Sequence, residues 1–199
     1  VKHSIIVNHD TPIAQRPYRI PHALREECGR QIKGMLDHGI IRQSASPWAS
    51  PIVMVKKKEG TLRFCVDYRK LNAMTRKDTY PLPRIDEMLD RLGHAQYFTI
   101  LDLQSGFWQI EMEEVDKAKT AFTTGEGLYE FNVLPFGLTG SPPTFQRCMN
   151  FVLMDISHAM VYIDDIIIFS KDFYEHLRDV ENVFKRLISG GLKVKLKKC

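Results

Sequence analysis

Apolar positions recur in two periods along this 199-residue chain, and the switches between them mark out its elements. Leu24, Cys28, Ile32, Leu36 and Ile40 return every fourth residue behind Pro21. That spacing predicts a helix opened by proline and closed near Gly39. Ile85, Met88, Leu89 and Leu92 predict a second helix ending at Gly93. Phe145, Met149, Val152 and Leu153 predict a third behind Ser141-Pro142-Pro143. A fourth spans 172–189, with Leu177, Val180, Val183, Phe184 and Leu187 inward and Gly190-Gly191 as its stop. Shorter runs rich in β-branched and aromatic residues predict strands at 50–57, 62–68, 97–103, 107–112, 118–123, 128–133 and 192–196. The first two are joined by the basic turn Lys-Lys-Lys-Glu-Gly60. Residues 1–20, punctuated by Pro12 and Pro17, read as an extended strap rather than a core element. Helices interspersed with hairpins predict an α+β fold, a sheet covered by helices.

One stretch stands out for its charge. From His158 to Ser170, two apolar runs flank Asp164-Asp165, so the segment reads as a hairpin with the aspartates at its turn. Such a pair is either a solvated turn or the start of a site for a hard cation, which takes carboxylate oxygens. The second reading needs a carboxylate from another element. Asp102, ending the apolar run Phe98-Thr-Ile-Leu-Asp102, is the candidate, with a cap or turn residue as its plain alternative. If the two strands are neighbours, the carboxylates meet at one sheet edge. Two-metal phosphoryl chemistry requires that convergence, with ions roughly 3.5–4 Å apart.

Composition narrows the class. A formal charge of +4 permits a polyanionic partner without demanding one. The charge is clustered, in Lys56-Lys57-Lys58 and in Lys193, Lys195, Lys197 and Lys198, which are either solvated or phosphate-facing. No apolar stretch approaches the roughly 18 residues of a membrane span, and the N-terminus lacks a signal-peptide layout, so no membrane partner is expected. The scattered Cys28, Cys65, Cys148 and Cys199 suggest neither a zinc site nor a disulfide framework. An intracellular setting is expected. The chain opens on Val1 and stops at Lys-Lys-Cys199, as a piece of something longer would.

Four motifs in order carry a resemblance: Arg63-Phe-Cys-Val-Asp-Tyr-Arg-Lys-Leu-Asn72, Leu101-Asp-Leu-Gln-Ser-Gly-Phe107, Leu134-Pro-Phe-Gly-Leu-Thr-Gly-Ser-Pro142 and Tyr162-Ile-Asp-Asp165. Tyr80-Pro-Leu-Pro83 and Thr144-Phe-Gln-Arg147 add to them. From about Tyr18 to Cys199 the chain resembles the reverse transcriptase of gypsy-type (metavirus) long-terminal-repeat retrotransposons. The resemblance implies a right-hand polymerase with fingers and palm, its antiparallel sheet covered by helices and its thumb absent. Residues 1–20 would be the strap, 21–93 mainly fingers and 94–199 mainly palm, with a fingers segment at about 118–140 returning between palm strands.

The implied activity is RNA-directed and DNA-directed DNA synthesis with two Mg²⁺, Mn²⁺ substituting. Asp102 and Asp164 would ligate both metals, Asp165 would assist, and the Leu103 carbonyl would complete one site. Ser105 and Gly106 amides would cradle the triphosphate, and Arg63 and Lys57 would meet its phosphates, with Lys56 the alternative to Lys57. Phe107 would lie under the incoming sugar and exclude a 2′-hydroxyl. Tyr162 and Ile163 would attend the primer end. The implied partners are an RNA or DNA template with primer, a deoxynucleoside triphosphate, and the thumb and RNase H of a parent polyprotein. Location in a cytoplasmic particle or the nucleus follows from the same resemblance.

Two positions depart from related patterns. Phe136 stands where retroviral enzymes carry a glutamine that contacts the nucleotide, so it offers at most an apolar shelf. Gly140-Ser141-Pro142 stands where gypsy-type chains usually read Asn-Ala-Pro. Two other classes compete: a retroelement segment that binds without catalysis, and an unrelated metal-dependent nuclease or nucleotidyltransferase. Intact Asp102, Asp164, Asp165 and Arg63 disfavour the first, and a nuclease has no use for Phe107 or the basic hairpin.

Overall fold

The computed structural model describes residues 1–57 and 60–199, without the side chain of Lys198. Lys58, from the basic block, therefore lies outside the described residues. In chain order the strands are β1 (Lys2–His3), β2 (Ile41–Gln43), β3 (Ser50–Lys56), β4 (Leu62–Val66), β5 (Tyr97–Asp102), β6 (Glu111–Met112), β7 (Phe122–Thr123), β8 (Leu128–Phe131), β9 (Ala159–Tyr162) and β10 (Asp165–Ser170). The helices are α1 (His22–Asp37), α2 (Arg69–Met74), α3 (Ile85–Leu92), α4 (Glu114–Lys117), α5 (Ser141–Val152) and α6 (Phe173–Ser189). They divide into two compact units, one of residues 1–77 with 110–141 and one of residues 78–109 with 142–199. The cut expected after Gly93 thus falls inside the second unit, and the returning segment begins at 110.

The first unit is built on a five-stranded sheet, β2-β8-β7-β3-β4. Its core is aromatic: Phe122 meets Phe64, Tyr129 and Phe131 at centroid distances of 5.4, 5.7 and 5.3 Å. Helix α1 buries Cys28, Ile32 and Met35; Met35 takes the place expected of Leu36. Gly39, at φ 67°, turns the chain out of it. The strap contributes more than expected. β1 pairs with β6, and Ile5 is buried while its N–H donates to the Asp116 carboxylate at 3.0 Å.

The second unit carries a three-stranded antiparallel sheet in the order β5-β10-β9. Leu101, Ile166 and Ile168 on the sheet, Val183 and Leu187 of α6, and Phe145 and Met149 of α5 are all buried. Asp172 caps α6, accepting from the amides of Tyr174 and Glu175. Three expectations shift here. The stripe on α3 is real as a helix but buries nothing, and Ile85 and Leu89 stay exposed. Leu177 of α6 is exposed, and the polar His176 is buried instead. The strands predicted at 107–112 and 118–123 begin as 3-10 turns, at Gly106–Gln109 and Ala118–Thr120, and are strand only at their ends, β6 and β7 of the first unit, while the predicted 192–196 strand reduces to a bridge between Val194 and Leu103. Short alternating runs satisfy a strand pattern and a tight turn equally well, because both place every second or third residue inward.

Candidate active site

The β9–β10 hairpin turns at Ile163 and Asp164, so Asp165 is the first residue of β10 rather than half of the turn. Ile163 has φ 56° and Asp164 does not share that sign, the pattern of a turn that usually asks for glycine at its first position. A β-branched residue there costs on the order of 1–3 kcal/mol, which the surroundings must offset. The hairpin lies against β5 with Asp165 opposite Asp102 and Ile166 opposite Leu101. Directly opposed residues share a sheet face, so Asp165 is the cross-strand neighbour of Asp102. This gives Asp165 a more direct relation to Asp102 than the sequence alone suggested.

Asp164 reaches the same corner by another route. Its carbonyl accepts the N–H of Leu103 at 3.3 Å, and its Cβ packs over the turn that follows Asp102. A Cβ added to Gly106 would come within 3.0 Å of the Asp164 Cβ and 3.2 Å of the Phe145 ring, so the approach depends on glycine. Ser105, at φ 52°, turns the chain into the 3-10 turn, which Trp108 closes by donating its N–H to the Ser105 carbonyl at 2.7 Å. Phe107 follows and meets Phe145 edge-to-face at 5.4 Å. Asp102 and Asp164 are half-buried and Asp165 is exposed. The donors are oxygens alone, the set a hard divalent cation prefers. Leu103 is bridged to Val194 through the Asp102 carbonyl and the Gln104 N–H, which sets Lys193 and Lys195 beside this strand end.

Two residues that the sequence places inside motifs without a role each hold a loop of their own unit. Gln146 of α5 is fully buried; its Oε1 accepts the N–H of Ile163 at 2.8 Å and its Nε2 donates to the Val161 carbonyl at 3.1 Å. In the first unit, Asn72 donates to the Gly137 carbonyl at 2.8 Å and accepts from the Thr139 N–H at 2.9 Å. Its amide pins the loop carrying the half-exposed Phe136, where Gly137 takes φ 95° against Tyr68. Full burial holds the Tyr68 phenol well above its ordinary pKa, so it remains a neutral donor to the Thr120 carbonyl at 2.7 Å. The glycine at 140 has a local reason too: a Cβ there would come within 2.8 Å of the His3 ring.

Lys57, Arg63 and Phe136 belong to the first unit, and the other predicted site residues to the second. In the β3–β4 hairpin Val55 faces Arg63 and Lys56 faces Leu62, while the Lys57 N–H donates to the Thr61 carbonyl at 2.8 Å. Continuing the period of two puts Lys57 on the Arg63 face and Lys56 on the other. Among the described residues, the one trio of possible metal-ligand atoms within 4.8 Å of one another is His158, Glu175 and Asp179, away from this site. His158 lies 2.8 Å from Asp179, which also accepts from the Ser170 hydroxyl at 2.8 Å, so this group knits β10 to α6.

The sequence pattern of the reverse transcriptase (RNA-dependent DNA polymerase) family matches residues 55–199. The chain is a member of that family. Among relatives of this reverse transcriptase chain, the Pol polyproteins of the Drosophila melanogaster transposons 297 and opus are 45% and 46% identical across all of it, and that of transposon gypsy is 40% identical across 94% of it. The chain spans about a fifth of the length of these relatives, 20%, 20% and 19%. Its fold matches the foamy viral protease-reverse transcriptase in complex with double-stranded DNA, with TM-score 0.91 and 30% identity over all of this chain and 35% of that one. The foamy viral protease-reverse transcriptase in complex with an RNA/DNA hybrid gives 0.91 and 29% over 99% of this chain and 27% of that one. The α+β fold is thus that of reverse transcriptase fingers and palm. No helix among the described residues is long and apolar enough to cross a membrane.

Proposed function

We propose that this chain carries the catalytic centre of an RNA-directed and DNA-directed DNA polymerase of a gypsy-type retrotransposon. The observation that carries the reading is the packing of Asp164 on Gly106, beside a β5–β10 register that opposes Asp102 and Asp165. Three aspartates from two chain segments stand at one strand end, an arrangement from which a pair of metal ions could be held for nucleotidyl transfer. Two Mg²⁺, or Mn²⁺ in their place, held by Asp102, Asp164, Asp165 and the Leu103 carbonyl, would acidify the primer 3′-hydroxyl and offset phosphate charge.

The protein groups do the rest. The turn at Ser105 and Gly106 supplies amides for the triphosphate oxygens, as successive backbone N–H groups do in anion-binding turns. Arg63 offers planar, multidentate contact to phosphate, and Lys57, on the same hairpin face, adds a point charge. Phe107, steadied by Phe145, fills the space a 2′-hydroxyl needs, and Phe136 serves as an apolar shelf. Tyr162 and Ile163 support the primer end. Template and primer are held through their phosphates, since a polymerase must accept every sequence.

The test is extension of a DNA primer on an RNA template by the longer polypeptide that contains this chain, with Mg²⁺ and four deoxynucleotides. Asp102→Asn should lower the rate by about 10³-fold or more, as loss of a charged metal ligand does. Extension at the wild-type rate by that variant would refute the reading.

A further inference from the structure

β9 is the edge strand of its sheet, and Tyr162, its last residue, pairs inward with Asp165. The outward backbone groups on either side of Tyr162 are the Val161 carbonyl and the Ile163 N–H. In a parallel ladder a single neighbouring residue bonds to such a pair, C=O on one side and N–H on the other. Here the Gln146 carboxamide does so, at 3.1 and 2.8 Å, while its Nε2 also donates to Asn150 Oδ1 at 2.9 Å. Asn150 in turn donates to the Tyr80 hydroxyl at 2.8 Å. One side chain therefore completes the edge strand at the residue that must adopt φ 56°.

We propose that Gln146 is a positioning residue of the catalytic centre. Its buried amide replaces a missing strand, holds Ile163 in the left-handed conformation and so fixes the direction in which Asp164 leaves the turn. Neither an aliphatic nor an acidic side chain of the same length reproduces it. Methionine offers no donor, and a carboxylate would face the Val161 carbonyl oxygen with another oxygen. This proposal deepens the polymerase reading and rests on it only for the purpose of the positioning. The clamp itself is readable without catalysis.

Gln146→Met in this chain should speed exchange of the Ile163 amide hydrogen by about tenfold or more, with the Ile166 amide little changed. It should also weaken Mn²⁺ binding, followed by electron paramagnetic resonance, by about fivefold or more. The decisive comparison is a cycle with Ile163→Gly, because glycine adopts positive φ without assistance. In the glycine background the effect of Gln146→Met on Mn²⁺ affinity should shrink to less than about twofold. A residue that merely fills the core would cost the same in both backgrounds, and that result overturns the proposal. Unchanged Ile163 exchange overturns it as well. If Gln146→Met does not fold, Asn150→Ala loosens the same amide from an exposed position and should raise Ile163 exchange in the same direction; no change there also overturns it. Wild-type protein that binds no Mn²⁺ would sink the metal reading, whereas the exchange data would still decide whether the clamp exists.

Discussion

Phe107 leaves the 3-10 turn five residues after Asp102, and its ring meets Phe145, which is fully buried. A ring seated against the core cannot swing aside, so its bulk acts as a fixed wall rather than an adaptable one. Phe107→Ala should raise ribonucleotide incorporation relative to deoxynucleotide by roughly 10–100-fold, the range a steric pocket commands. Competition between the two nucleotides at one template position measures it, and unchanged selectivity would remove Phe107 from that role. The aspartates proposed as metal ligands stood out at this scale because a charged residue ending an apolar run is conspicuous. Gln146 and Asn72 were not. Each acts through backbone groups far along the chain, and nothing local distinguishes a clamp from a solvated amide.

The elements that the sequence missed are short ones. α2 has six residues, too few to show a helical period; its N-cap Tyr68 makes no side-chain cap, and its first amide is held from the preceding residue, Asp67. Asp67 accepts the Arg69 N–H at 3.2 Å, the Arg69 guanidinium at 2.8 and 2.7 Å, and the Tyr18 hydroxyl at 3.1 Å. The guanidinium bonds chiefly hold the Asp67 carboxyl at a pKa of about 2. A depressed carboxylate stabilises the fold above its unfolded pKa, near 4, and that contribution is lost as pH falls toward 2. Because Arg69 is largely exposed, solvent screening reduces the effect to about 1 kcal/mol. Asp67→Asn should therefore lower the urea midpoint at pH 7, and the gap from wild type should close between about pH 4 and pH 2. A gap that stays constant across that range would contradict this. The long helices were legible, but which stripe stays exposed was not: α3 repeats like a buried helix and buries nothing.

At the scale of the whole chain, the fold class could be read from helices interleaved with hairpins, whereas the division into units could not. The second unit is assembled from 78–109 and 142–199, and no composition shift marks where the chain leaves it and returns. The net charge of +4 is modest, so affinity for the proposed template and primer would rest on where lysine and arginine sit rather than on their excess. Binding to a primer–template duplex should weaken linearly in log–log terms with salt, and replacing Lys57 should reduce the slope by about 1. An unaltered slope would take Lys57 out of contact with phosphate.

The central claim is that Asp164 ligates a metal on which DNA synthesis depends. Asp164→Cys tests it most directly, since a thiolate disfavours Mg²⁺ and accepts softer ions. In the polypeptide that contains this chain, primer extension by the variant should fail with Mg²⁺ and return in part with Mn²⁺ or Cd²⁺. Extension at the wild-type rate in Mg²⁺ would contradict it.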